Sequence, residues 1–151
     1  MTKINIDVQR LPHGENLPLP EQATKLAAGV DLLAAVEQTV KIEPGERKVI
    51  PTGIAVAVPL GYEAQVRPRS GLAVKFGITL ANSPGTIDSD YRGEIGAILI
   101  NHGEKPFIVE RGMRIAQMIV APVTEFTWNE RKDLDKTERG TGGFGSTGMK
   151  S

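Results

Sequence analysis

The sequence contains no cysteine and only two histidines, His13 and His102. Without cysteine there is no disulfide framework and no thiol chemistry, and with so few imidazoles the chain is poorly equipped for a zinc site. Net charge is missing too, because 18 Lys plus Arg balance 18 Asp plus Glu. A formally neutral chain carries no global field for gripping nucleic acid or an anionic membrane, although local clusters can still bind a small anion. No apolar run approaches membrane-spanning length, and the opening MTKINIDVQRLPHG has no apolar signal core. The expectation is a soluble cytoplasmic protein with neither nucleic-acid nor membrane partners. Its 151 residues suit one domain with a sizeable core and are too few for a second.

What the chain does have is glycine, proline and a period of two. Ile4, Ile6 and Val8 alternate with polar residues, and KVIPTGIAVAVP, YEAQVRP, GEIGAILIN, KPFIVE and RIAQMIVAPV follow as short β-rich runs. With 17 Gly and 10 Pro between them, long helices are disfavoured and an all-β sandwich or barrel is expected. SGLAVKF can form one short helix: Pro68 holds Arg67 extended, and Ser70 is a good N-cap that would leave free N–H groups pointing outward. From Glu125 to Arg139 the chain becomes highly charged and loses its alternation. This divides it into an all-β core over residues 1–128 and a charged connector with a glycine-rich arm over 129–151.

Five stretches carry candidate chemistry. PRSGLA sets Arg69 and Ser70 at the start of the short helix, where a guanidinium, a hydroxyl and backbone amides can converge on a phosphate chain. GTIDSDYRGEI offers Asp88, Asp90 and Glu94 around Tyr91, between Gly85 and Gly93. It reads as a hairpin that presents backbone donors and acceptors, beside a carboxylate able to orient water. Asp31 lies in the apolar stretch KLAAGVDLLAA and Gln117 among the apolar residues of RGMRIAQMIV. Each needs a partner, whether a ligand or an internal one. RGTGGFGSTG, Arg139 to Gly148, looks like a phosphate-binding loop with no scaffold after it. Singly, these features are weak, and the plainer readings of a surface arginine, an acidic turn, a satisfied amide or a linker are favoured.

In order, AGVDL, PRSGLA, GTIDSDYRGEI, GMRIAQM and RGTGGFGSTG closely resemble the five motifs of the trimeric deoxyuridine triphosphate nucleotidohydrolases, the dUTPases, from Ala28 to Gly148. One slight departure is Glu138, where an aspartate is common. The resemblance implies a distorted jelly-roll or β-clip barrel with one short helix and a flexible C-terminal arm, assembled as a homotrimer with shared active sites. It implies hydrolysis of dUTP to dUMP and pyrophosphate with Mg²⁺, limiting uracil in DNA and supplying dUMP for thymidylate synthesis.

The same resemblance places catalysis on Asp88, which would activate the water that attacks the α-phosphorus and touch the 3′-hydroxyl, and on Gln117. Arg69 and Ser70, with Gly71 beside them and with Gln117, would contact the phosphates. Asp31 would act on the metal through water. Tyr91 would press on the sugar and exclude a 2′-hydroxyl, while Asn82 and the backbone near Ile87 would read the uracil edge. From another subunit's arm, Arg139 would meet the γ-phosphate, Phe144 would stack over uracil, and Gly145 and Ser146 would join the glycines wrapping the phosphates.

Two alternatives carry different signatures. The dCTP deaminases share the fold but place a catalytic glutamate in the strand after the hairpin, and Ile95–Asn101 has none. A non-catalytic nucleotide-binding regulator has no need to keep Asp88 together with every phosphate-contact residue.

Overall fold

In the computed structural model, which describes residues 3–150, the chain folds into ten strands and one α-helix. Met1, Thr2 and Ser151, the ends of the expected core and arm, lie outside the described residues. The strands are β1 Asp7–Arg10, β2 Val30–Leu33, β3 Val40–Ile42, β4 Arg47–Ala57, β5 Tyr62–Arg67, β6 Ile78–Leu80, β7 Gly85–Ile87, β8 Glu94–Asn101, β9 Phe107–Val109 and β10 Arg114–Pro122, and the helix α1 is Ser70–Phe76. One four-stranded sheet has the order β1-β4-β8-β6, a second has β2-β10-β5-β7, and β3 pairs with β9. All pairings are antiparallel. The sheets do not close into one barrel.

Alternation explains the core. Ile95, Ala97 and Leu99 of β8 are buried while Gly96 faces outward, and Ile50, Thr52 and Ile54 of β4 are likewise buried. These inward rows meet Ile115, Ala116 and Met118 of β10 and Ala64 and Val66 of β5 in one hydrophobic cluster. The long β4 survives Pro51 because its register with β8 shifts between Pro51 and Ala55, and Gly53 adopts φ 70° inside that irregularity. A Cβ on Gly53 would strike the backbone of Gly14, which packs directly against it. The 3₁₀ turn Pro12–Gly14 is thereby seated on β4, and Leu11 N–H donates to Gly53 O at 2.8 Å.

The structure corrects two expectations. Ser70 is the first residue of α1 and not its cap: Arg69 occupies the N-cap with φ −96° and ψ 128°, and no side chain caps the helix. The helix ends at Gly77 (φ 68°), whose N–H returns to Ala73 O. GTIDSDYRGEI, in turn, is not a hairpin. β7 pairs with β5 in one sheet and β8 with β4 and β6 in the other, so the segment carries the chain between sheets.

Asn101 is fully buried, and its side chain replaces a strand's worth of pairing at the end of β8. Its amide donates to Ile42 O (2.9 Å) and Lys105 O (2.8 Å), and its oxygen accepts from Gly103 N–H (2.8 Å). Asn101→Ala orphans all three backbone groups, at about 1–3 kcal/mol for each that water cannot reach. With the Ile42 carbonyl the one fully buried partner, the expected result is an unfolding midpoint lower by roughly 2–12 °C in thermal melts.

Candidate active site

Two clusters emerge. The first lies at one end of the β2-β10-β5-β7 sheet, where register places Asp31 beside Gln117 and Gln117 beside Arg67. Cross-strand partners share a face, so these three side chains form one polar row. Asp31 meets two cations: Arg69 Nε donates to Oδ1 at 3.0 Å, and the Arg114 guanidinium lies 3.6 Å from Oδ2. Arg69 also donates to Arg114 O (3.2 Å), and Gln117 Nε2 donates to Pro68 O (2.9 Å). The Pro68–Arg69 turn is therefore clamped to β10 from both sides, by charge-assisted bonds on one and an amide on the other. Gln117 thus has an internal partner within the chain. Ser70 and Gly71 stand exposed just beyond the clamp, at the uncapped start of α1.

The second cluster surrounds the crossing between sheets. Asn82, Gly85, Thr86, Ile87, Tyr91 and Glu94 line a cavity of about 130 Å³, closed behind by Val66, Ile95 and Ile98. Gly85 lets the Asn82 amide lie close, since a Cβ there would come within 3.1 Å of Nδ2. Tyr91 is held at both ends: its N–H donates to Asp88 O at 3.1 Å and its hydroxyl to Glu94 O at 2.9 Å. Gly93 is required by the Tyr91 ring, which a Cβ would hit. Arg92 braces the turn through Ser89 O (2.7 Å) and Tyr91 O (2.9 Å). The Asp88 carboxylate is exposed and makes no hydrogen bond or ion pair among the described residues.

Within one chain the clusters adjoin on β5, where Gly85 of the cavity pairs with Val66 next to Arg67, but the Asp88 end of the second cluster lies away from the first. Arg67 pairs with Gln117, whereas Ile87 pairs with Ala64, so Asp88 sits beside Glu63 at the far end of β5. Four residues of strand correspond to roughly 13 Å. The arm joins neither cluster. Between Thr137 and Gly148 its hydrogen bonds are internal, with Arg139 Nε donating to Gly142 O at 2.8 Å. Phe144 projects fully exposed with φ 48°, and Gly145 and Ser146 follow it in an open turn.

Sequence reasoning missed Arg114, the second guanidinium on Asp31, although it stands inside GMRIAQM. It also missed the anchoring of Glu94, whose side chain accepts from Gly53 N–H and His13. No local pattern marks that contact.

The dUTPase family model matches residues 15–148. Deoxyuridine 5′-triphosphate nucleotidohydrolase of Maricaulis maris is 57% identical over 152 residues, covering 99% of this chain and 100% of the relative. The protein of the same name from Rickettsia felis is 57% identical over 149 residues with the same coverage. Among solved structures, Staphylococcus bacteriophage 80alpha dUTPase with dUPNHPP superposes with a TM-score of 0.86 at 28% identity, covering 97% of this chain and 100% of that one. A mutant dUTPase from phage phi11 of S. aureus, whose structure details the coordination of a structural Mg(II) ion, gives 0.77 at 25% identity, covering 87% of this chain and 99% of that one.

Proposed function

The chain belongs to the dUTPase family, and from that premise we propose how its own residues perform the reaction. It is a dUTP diphosphatase, hydrolysing dUTP to dUMP and pyrophosphate. The observation that carries the assignment of roles is the separation of Asp88 from the Arg69 and Gln117 cluster along β5. The unpartnered Asp88 carboxylate is read with the cavity, and Arg69, Ser70, Gly71 and Gln117 as the phosphate side. The separation supports a site in which the phosphate side of one subunit faces the cavity of another.

A homotrimer with shared sites follows as part of the proposal, and two surfaces support it. The outer face of β4 and β8 presents Val49, 66% exposed, beside Gly96 and Ile98. Beyond β10 the chain runs on with Phe126 and Trp128 stacked edge to face yet 72% and 89% exposed. Apolar surface of this kind marks contacts between chains. The arm, with Arg139 for the γ-phosphate, Phe144 for the base and Gly145 and Ser146 around the phosphates, is then the third contribution to each site. The division into a core of 1–128 and an arm of 129–151 and the cytoplasmic location belong to the same reading. No helix among the described residues is long and apolar enough to cross a membrane.

The donor set fits Mg²⁺ in one way. Among the described residues no group of three His, Asp or Glu side chains converges to cage a cation. Both Asp31 oxygens already face guanidinium groups, so a contact through water is favoured over direct ligation. That suits a hard cation that keeps much of its hydration and rests mainly on substrate phosphates. When bound, Mg²⁺ supplies positive charge to the triphosphate.

Within this frame Asp88 accepts a proton from the water whose oxygen attacks the α-phosphorus, and the bond from that phosphorus to the bridging oxygen breaks to release pyrophosphate. Arg69 offsets the charge of the phosphates, and Gln117 holds them by hydrogen bonding. Asn82 and the β7 edge, in place of the expected hairpin, pair with the uracil pattern. Cytosine would leave those groups unpaired once the base covers them, an error that can be worth roughly 10⁴ to 10⁵ in specificity. Thymine differs by one methyl, which loose fit rejects by only about 1–3 kcal/mol. The Gly85–Ile87 strand, hydrogen-bonded to β5, supplies the rigid wall that stronger exclusion requires.

The test is product identity. Incubated with each common nucleotide and Mg²⁺, the protein is expected to release pyrophosphate from dUTP alone, in one step. EDTA should abolish the activity and Mg²⁺ restore it. Comparable turnover of dCTP or dTTP, or orthophosphate as first product, contradicts the assignment.

A further inference from the structure

Glu94 opens β8 beside the cavity, yet its side chain is turned to structural use. Oε1 accepts two hydrogen bonds, from Gly53 N–H at 2.8 Å and from His13 Nε2 at 2.5 Å. The Gly53 bond exists because β4 breaks register there, which frees that N–H from the ladder. The next residue is pinned from the same strand, Thr52 Oγ1 donating to Ile95 O at 2.5 Å. Glu94 O, one end of this doubly anchored segment, is the acceptor for the Tyr91 hydroxyl.

Tyr91 is 45% exposed, so neighbouring side chains do little to hold its ring. Its orientation rests on the backbone at its two ends and on the bare Gly93 beneath it. A carboxylate beside a site for a tetra-anionic nucleotide is also unfavourable on electrostatic grounds unless it is compensated. His13 and the Gly53 amide compensate it.

We propose that Glu94 is a positioning residue for sugar selection: anchored by His13 and Gly53, it fixes the carbonyl on which the Tyr91 hydroxyl rests, and so sets the wall facing the 2′ position of the sugar. The inference rests on the reading of Tyr91 as the sugar gate. A purely structural staple would lower stability when removed and leave the choice between UTP and dUTP untouched.

The experiment measures kcat/KM for dUTP and UTP in Glu94→Ala, Glu94→Gln, Tyr91→Phe and Tyr91→Ala proteins. Glu94→Ala is expected to raise the UTP to dUTP ratio by about tenfold or more, whereas Glu94→Gln, which keeps an acceptor for Gly53, stays within about threefold of the parent. Tyr91→Phe, an exposed change that removes only the hydroxyl, should move the ratio in the same direction and covers the case in which Glu94→Ala does not fold. A parental ratio in Tyr91→Phe, or in folded Glu94→Ala, overturns the proposal.

A second readout is independent of activity. Tyr62 and Tyr91 are the only tyrosines, so fluorotyrosine labelling gives two resonances, assigned with Tyr62→Phe. The Tyr91 signal should shift and broaden in Glu94→Ala and remain parental in Glu94→Gln, and a Tyr91 signal unmoved by Glu94→Ala also overturns the proposal. If Tyr91→Ala leaves the sugar preference unchanged while the Tyr91 signal responds to Glu94, the gate reading has failed and the anchoring has not.

Discussion

Asp88→Asn protein is expected to bind dUTP nearly as well as the parent and to hydrolyse it roughly 10² to 10⁴ times more slowly, the span ascribed to a positioned general base. The amide is isosteric and still accepts a hydrogen bond from water, but it cannot take the proton as the water attacks. Because the Asp88 carboxylate has no partner among the described residues, neutralising it orphans no cation, and the unfolding midpoint should stay near the parental value. Asp31→Asn is the instructive contrast. It would weaken the hold on Arg69 and Arg114 together, so stability and phosphate affinity should fall along with turnover. Steady-state kinetics, titration with a non-hydrolysable dUTP analogue and thermal melts separate the two patterns. If Asp88→Asn lost affinity and turnover in equal measure, Asp88 would be a binding group and the base would lie elsewhere.

The longer strands were legible because β5 and β8 bury one face more than the other and β4 buries both faces over Thr52–Val56. β4, β5, β8 and β10 show the alternation or the continuous β-rich run that this requires, and β9 lies within KPFIVE. At the N-terminus the alternation of Ile4, Ile6 and Val8 became a strand only from Asp7 onward. β2, β3, β6 and β7 are three or four residues long. Their existence depends on partners remote in the chain, Met118 for Val30 and Val109 for Val40 among them, and no local period encodes a partner. For the same reason the crossing between sheets looked like a hairpin. Two β-rich runs around a turn are the same sequence pattern whether they pair with each other or leave for different sheets.

Residue identities in the site were more legible than their geometry. Asp31 was marked by being a carboxylate among apolar residues, and the structure answers with two arginines. Gln117 was marked as an amide in a core-like strand, and it bonds Pro68 O. Ser70 looked like a cap because serine caps helices well, but the extended residue after Pro68 is Arg69, and the helix starts one position earlier than a Ser70 cap requires. That shift leaves the Ser70 hydroxyl free of a capping bond. What sequence reasoning could not supply was the distance between Asp88 and the cluster of Asp31, Arg69 and Gln117, since it depends on which strands pair and in what register.

That distance leads to the experiment with the sharpest contrast. If Arg139 and Phe144 complete a site whose Asp88 belongs to another chain, a protein ending at Glu138 and full-length Asp88→Asn protein should each be nearly inactive, yet regain activity when unfolded and refolded together. In randomly assembled trimers from equal amounts, a site needs Asp88 from the truncated type and an arm from the other, each with a chance of one half. Roughly a quarter of sites are then intact. An arm that closes on its own chain predicts no rescue at any ratio, because every site would lack one element or the other. The arm's geometry favours exchange: its hydrogen bonds are internal, Phe144 is fully exposed, and the chain from Val123 to Lys150 forms no strand with the core. Mixing without unfolding should stay inactive, and sedimentation should report a trimer before and after refolding. Recovery near a quarter of the parental activity, falling as either variant is put in excess, assigns each glycine loop to a scaffold provided by its neighbours.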